Sequence, residues 1–121
     1  MDFSFSDEQT LLQESVSRFI INDYGFEQRQ KHSRSDLGYS EENWKTFAEL
    51  GWLGVPFAEG AGGFGGGAVE MMLMMEEFGK GLVVEPYLAT VVACGAALDA
   101  AGSDDQQAAY IPEIIDGSKL W

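Results

Sequence analysis

An apolar segment followed at once by a glycine-dense loop constrains this chain more than any other feature. Residues 50–57 read Leu-Gly-Trp-Leu-Gly-Val-Pro-Phe, and residues 60–67 read Gly-Ala-Gly-Gly-Phe-Gly-Gly-Gly. Glycine adopts backbone conformations that other residues avoid and allows two backbones to approach closely, so this pattern specifies main-chain geometry rather than side-chain chemistry. We expect one helix to end before the loop and another to begin after it.

The first half of the chain carries start signals for three helices. Residues 6–9, Ser-Asp-Glu-Gln, have the form of a capping box and predict a helix to about residue 23, whose apolar positions are Leu12, Val16, Phe19 and Ile20. A short polar helix is expected over residues 26–32. Ser40 predicts the N-cap of a third helix, and Gly51 its left-handed C-terminal cap. Residues 52–56 are too few for a helix and predict a buried connection.

The second half predicts a Met-rich helix over residues 68–80, broken by Gly79 and Gly81. Its expected apolar face consists of Met71, Met72, Met75 and Phe78, and its expected solvent face of Glu70, Glu76 and Glu77. An uncharged stretch from Pro86 to Leu98 follows. It is too short to span a membrane and predicts a helix that is buried on all sides, with proline at its first position and Gly102 at its end.

A second capping box, Ser-Asp-Asp-Gln at residues 103–106, predicts a helix to about residue 111. Pro112 would then restart a final turn that Gly117 ends. No segment alternates apolar and polar residues as a half-buried strand does, so the predicted fold class is all-α with about six helices.

Composition excludes several classes of function. The chain has 121 residues with a formal net charge of −13, and such a field repels nucleic acid and anionic membranes. Cys94 is the only cysteine and His32 the only histidine, which excludes a disulfide framework and a zinc cluster. The acidic N-terminus does not resemble a secretory signal, so we expect a cytoplasmic protein that binds neither nucleic acid nor membrane.

The residues reveal no catalytic or metal-binding constellation. The glycine loop lacks the Lys-Ser/Thr of a phosphate-binding loop and the preceding strand of a dinucleotide fold, so a structural loop is favoured. Adjacent carboxylates on a helix diverge, and two acids in a first helical turn are explained by the helix dipole. Cys94 is typical of a small core residue and His32 of a surface residue.

From residue 50 onward the sequence resembles the N-terminal helical domain of the acyl-CoA dehydrogenases, and Phe3 to Leu12 resembles the opening helix of that family. The matching segments are residues 50–56, 62–65, 76–80, 86–90, 101–106 and 110–117. The run Glu-Pro-Tyr-Leu-Ala-Thr at residues 85–90, with the glycine loop, is most similar to a bacterial branch that includes small subunits of pimeloyl-CoA dehydrogenases. The loop lacks the family's usual acid pair and tyrosine, and Lys80 stands where arginine is usual.

The resemblance implies that residues 1–121 are one N-terminal helical domain, with a middle β-domain and a C-terminal helical domain absent from this chain. It implies an enzyme that oxidises an acyl-CoA thioester in fatty acid or dicarboxylic acid degradation, with FAD and the catalytic base supplied outside these residues. The implied partners are an acyl-CoA, an electron-transfer flavoprotein or similar acceptor, and other subunits of a homo- or hetero-oligomer.

By position after the family motif, we expect four residues to line the acyl pocket: Pro86, Ala89, Thr90 and Ala93. Ordinary helix packing is the alternative for each of them. For the whole chain, the alternative is a non-catalytic partner subunit that keeps this domain for assembly. The ending on Leu120 and Trp121 leads us to expect further sequence after them.

Overall fold

The computed structural model describes all residues from Met1 to Trp121 and contains helices without strands. The six α-helices are α1 (Asp7–Asp23), α2 (Phe26–Ser33), α3 (Glu41–Glu49), α4 (Ala68–Gly81), α5 (Ala96–Ala101) and α6 (Asp104–Ile115). Two single turns of 3₁₀ helix lie at Trp52–Gly54 and Glu59–Ala61, and a π-helical segment (Leu88–Gly95) leads directly into α5. The predicted all-α fold class is confirmed.

The predicted start signals act as expected. The Ser6 hydroxyl accepts a hydrogen bond from the Gln9 amide at 3.1 Å, and the Gln9 side chain accepts one from the Ser6 amide at 2.9 Å. Ser103 and Gln106 form the same reciprocal pair at the start of α6. Both boxes satisfy amides that the first helical turn leaves without a partner.

The backbone divides into two compact units, of which the first comprises residues 1–38 and 68–84. Its main feature is the packing of α1 along α4. Gln9 donates to Glu70 at 3.0 Å, Gln13 donates to Glu77 at 3.3 Å, and the Ile20 side chain lies against Gly81. Because these pairings advance together along both helices, α1 and α4 run in the same direction.

The second unit comprises residues 39–67 and 85–121. Its core contains apolar side chains from α3, the first 3₁₀ turn, the loop after it, the π-helical segment and α6. Fully buried members are Phe47, Leu53, Phe57, Val91, Ile111 and Ile114. Burying each such side chain contributes on the order of 1.5–3 kcal/mol to folding, so these elements hold the unit together.

Several boundaries differ from the sequence predictions. Gly79 lies inside α4, which ends at Gly81, because one glycine weakens a helix without ending it when the flanking residues pack. Pro112 likewise lies inside α6. The apolar residues on both sides of it, Ile111 and Ile114, are buried, and their packing offsets the hydrogen bond that proline cannot donate.

The buried face of α4 matches the predicted one at Phe78 but not at Met72. Leu73, Met74, Glu77 and Phe78 are buried, whereas Met72 is half exposed. The expectation that Glu77 faces solvent was therefore wrong. Its carboxylate is buried because Gln13 and Lys80 both donate hydrogen bonds to it, which compensates the loss of water.

The uncharged helix is buried on one side only. Leu88, Ala89 and Ala93 are exposed, as are Ala96 and Ala97 of α5. The prediction of burial on all sides was wrong because the absence of charge does not require burial, and alanine adds little apolar surface to an exposed face.

Candidate functional site

The expected site lies on the π-helical segment, whose hydrogen bonds run from residue i to residue i+5 and which therefore has more residues per turn than an α-helix. Such segments frequently mark functional sites. The segment follows Pro86, whose carbonyl accepts from the Thr90 amide at 3.0 Å. The sequence predicted a helix here but not its π form.

The start of the segment is attached to the first 3₁₀ turn. The buried Tyr87 hydroxyl donates to the Trp52 carbonyl at 2.8 Å. Burial raises the pKa of Tyr87 above its ordinary value, so the phenol remains protonated and keeps donating throughout the physiological pH range.

The end of the segment packs on the Phe57 ring, which is itself buried. A Cβ atom placed on Gly95 would lie 2.6 Å from Phe57 Cζ and 3.4 Å from the Thr90 carbonyl oxygen. Only glycine allows this approach without displacing the ring or the helix. Sequence reasoning missed this contact, although a lone glycine within an uncharged helix is a signal for close packing.

Thr90 lies on the inner face of the segment. Its side chain is fully buried, and its hydroxyl lies 3.3 Å from both the amide nitrogen and the carbonyl oxygen of Trp121, accepting from the first and donating to the second. The Trp121 ring meets the Tyr110 ring edge to face at 5.4 Å. Thr90 therefore joins the segment to the last residue of the chain.

Ala89 and Ala93 lie on the side of the segment that faces away from the core, and both are exposed, as is Leu88. Pro86, at the entry to the segment, is half-buried. Of the four expected pocket residues, the structure thus places two alanines on one exposed apolar surface, one proline at its edge, and Thr90 behind it. We call this surface, defined by Leu88, Ala89 and Ala93, the outer face.

The amides of the glycine loop pair with the backbone of the segment that precedes it. The amides of residues 63–66 donate in turn to the backbone carbonyls of Ala58, Gly54, Phe57 and Val55, at 2.7–3.1 Å. A phosphate site needs such amides to point at the ligand. Because these amides already donate to carbonyls of residues 54–58, the structural interpretation of the loop is favoured.

Buried carboxylates join elements within each unit. Glu85 accepts from the Asn43 side-chain amide at 2.8 Å, which ties the residues before the π-helical segment to α3. Glu77 accepts from Lys80 Nζ at 2.7 Å, and this hydrogen bond raises the pKa of Lys80. Cys94 is half-buried, and His32 lies 6.3 Å from the Tyr24 ring, centroid to centroid.

A shallow groove of about 300 Å³ lies at the end of α6, between Tyr39, Trp44, Lys45 and Gly117. The Trp44 indole nitrogen is buried there without a hydrogen-bond partner. The expected pocket residues do not line this groove, which is separate from the outer face.

No group of three or more His, Cys, Asp or Glu side chains is placed to hold a metal ion. None of the helices has the length and apolar character needed to cross a bilayer.

Known proteins resemble this chain in sequence. A family profile described as acyl-CoA dehydrogenase, N-terminal domain, matches residues 6–118. Acyl-CoA dehydrogenase FadE12 of Mycobacterium tuberculosis is 33% identical, across 97% of this chain and 30% of its own length. Acryloyl-CoA reductase (NADH) of Anaerotignum propionicum is 27% identical, across 99% of this chain and 30% of its own length. The chain therefore spans about a third of the length of these curated relatives.

Solved structures show the same similarity. A variant of the Tcur3481–Tcur3483 steroid ACAD superposes with a TM-score of 0.84 at 28% identity, covering 93% of this chain and 31% of that one. Apo-form PigA superposes with a TM-score of 0.79 at 29% identity, covering 98% of this chain and 32% of that one. Backbone shape and sequence therefore indicate the same family.

Proposed function

Because the chain belongs to the family of acyl-CoA dehydrogenase N-terminal domains, we propose that it is the N-terminal domain of a flavin-dependent acyl-CoA dehydrogenase. The complete enzyme would remove hydrogen from the α and β carbons of an acyl-CoA thioester. FAD, bound by parts of the protein outside this chain, would accept the β-hydride. The catalytic base would also lie outside these residues, and an electron-transfer flavoprotein or similar acceptor would reoxidise the flavin.

The observation that carries the proposal is the outer face of the π-helical segment. It is apolar, exposed and built around two alanines, and it belongs to a segment fixed at both ends by buried contacts. An alkyl chain gains free energy when it leaves water for such a surface. We propose that Pro86, Ala89 and Ala93 contact the acyl chain. Thr90, which is buried beneath them, would support this wall through its hydrogen bonds to Trp121.

Substituting Ala89 tests the wall. Leucine there would occupy space meant for the substrate, and one or two excluded methylenes correspond to about 1–3 kcal/mol of discrimination. Ala89→Leu in the complete enzyme should lower kcat/KM for octanoyl-CoA relative to butanoyl-CoA by about tenfold or more. Ala109→Leu, on the exposed side of α6, is the matched control and should leave the ratio unchanged.

A fall in melting temperature for Ala89→Leu with an unchanged ratio would place Ala89 in a packing interface instead. Retention of long-chain activity together with normal stability would remove Ala89 from the wall as well.

Flavin retention tests the proposal that the FAD site lies outside this chain. The 121-residue chain alone should be colourless and inactive, whereas the complete protein should show a flavin absorption spectrum that an acyl-CoA bleaches. Stoichiometric flavin bound by the chain alone would contradict the proposal.

A second candidate is a non-catalytic partner subunit. It is favoured by the paired name of one similar solved structure, the Tcur3481–Tcur3483 steroid ACAD. In such an assembly this domain would pack between subunits. The two candidates differ in the purified complete protein. Flavin and activity support the catalytic subunit, while a flavin-free protein that forms a stable hetero-oligomer with an active partner supports the other.

A further inference from the structure

The contact between Gly95 and Phe57 fixes how far the π-helical segment stands from the core of its unit. The Phe57 ring lies within 2.6 Å of the position that a Gly95 Cβ would take, and the ring is 1% exposed. A buried ring has no free volume into which to withdraw, because protein interiors are close-packed. The ring therefore sets a lower limit on the distance between segment and core.

The opposite side of the same segment is the outer face. Gly95 and Thr90 are buried, whereas Ala89 and Ala93 are exposed, so a shift of the segment away from Phe57 moves both alanines outward. The attachments at Tyr87 and Thr90 restrict sliding along the axis, since both are hydrogen bonds to backbone atoms. The contact between Gly95 and Phe57 therefore controls movement of the π-helical segment perpendicular to its own axis.

From these contacts we infer that Gly95 and Phe57 are positioning residues that set the acyl-chain-length preference of the enzyme without touching the substrate, an inference that rests on the proposed function. The size of the ring at residue 57 and the absence of a side chain at residue 95 together determine how far Ala89 and Ala93 protrude into the space for the acyl chain. A larger group at either position narrows the space for the acyl chain, and a smaller one widens it.

Two substitutions with opposite expected effects test this inference in the complete enzyme. Gly95→Ala pushes the segment outward and should lower the ratio of kcat/KM for octanoyl-CoA over butanoyl-CoA, by about tenfold if the loss equals one methylene. Phe57→Leu lets the segment settle inward and should raise that ratio. The double variant should return the ratio toward that of the unmodified enzyme, because the new methyl group occupies space that the ring has left.

Gly79→Ala is the matched control, since a Cβ atom there meets no atom within 4 Å and the residue lies in α4. It should change neither the ratio nor the flavin spectrum. Melting temperatures are measured for every variant. If Gly95→Ala yields no folded protein, the sign of the change in Phe57→Leu decides alone.

Unchanged ratios in an active enzyme would overturn the inference while leaving the proposed function intact, even if stability falls. Shifts of the same sign in both single variants would also overturn it. Absence of activity toward either acyl-CoA in the unmodified complete protein would instead refute the proposed function, and this inference with it.

Discussion

Gly63→Ala is expected to be among the most destabilising single-methyl additions in this chain. A Cβ atom at residue 63 would lie 2.2 Å from the Phe57 carbonyl oxygen and 2.6 Å from the Gly54 carbonyl oxygen. Both are backbone atoms, so no side chain can rotate to relieve the clash. The loop itself must move.

The size of the effect follows from the hydrogen bonds that the same carbonyls accept. The Gly54 oxygen accepts from the Phe64 amide at 3.1 Å, and the Phe57 oxygen accepts from the Gly65 amide at 2.7 Å. Each such bond contributes about 0.5–1.5 kcal/mol, and a buried carbonyl left without a partner costs about 1–3 kcal/mol. Displacing the loop should therefore lower the free energy of unfolding by about 3 kcal/mol.

Gly60→Ala provides the control within the same loop, because its Cβ atom would meet no atom within 4 Å and the residue is exposed. Its effect should stay within about 0.5 kcal/mol. Urea unfolding followed by the fluorescence of Trp44 and Trp52, both buried, gives the two values. With a slope of about 1–3 kcal/mol/M, the Gly63→Ala midpoint should fall by about 1–3 M. Equal midpoints for the two variants would refute the argument that backbone approach requires glycine at residue 63.

Three further predictions concern individual contacts. Gly51→Val should lower the free energy of unfolding by about 1–2 kcal/mol, because residue 51 has φ of 80° and branched side chains resist that region; an unchanged melting temperature would contradict it. Tyr87→Phe should cost about 1–3 kcal/mol in urea unfolding, since it leaves the buried Trp52 carbonyl without its donor, and a neutral result would show that water replaces the hydroxyl. Glu77, and to a smaller extent Glu76, raises the pKa of Lys80 above its ordinary value of 10.5. The contribution of these pairs to stability should therefore be complete below that pH and lost as pH rises through the raised pKa. Glu77→Gln should reduce this loss in a pH series of melting temperatures, while the Glu76–Lys80 pair at 3.5 Å remains.

Local sequence determined most helix ends. Ser6 and Ser103 start α1 and α6 because a hydroxyl three residues before an amide is a short-range geometry that needs no other part of the chain. Gly51 takes the left-handed conformation for the same local reason. The resemblance to the family followed from the order and spacing of several short segments, none of which identifies the family by itself.

Only the tertiary structure decided which faces are buried and which residues hold the candidate site in position. Glu77 is buried because Gln13 and Lys80 reach it, and the first of these partners is 64 residues away. The π form of residues 88–95 coincides with contacts to Trp52, Phe57 and Trp121, none of which is a sequence neighbour. Helix periodicity describes a segment in isolation, whereas burial depends on which distant side chains arrive to satisfy its polar groups and fill its gaps.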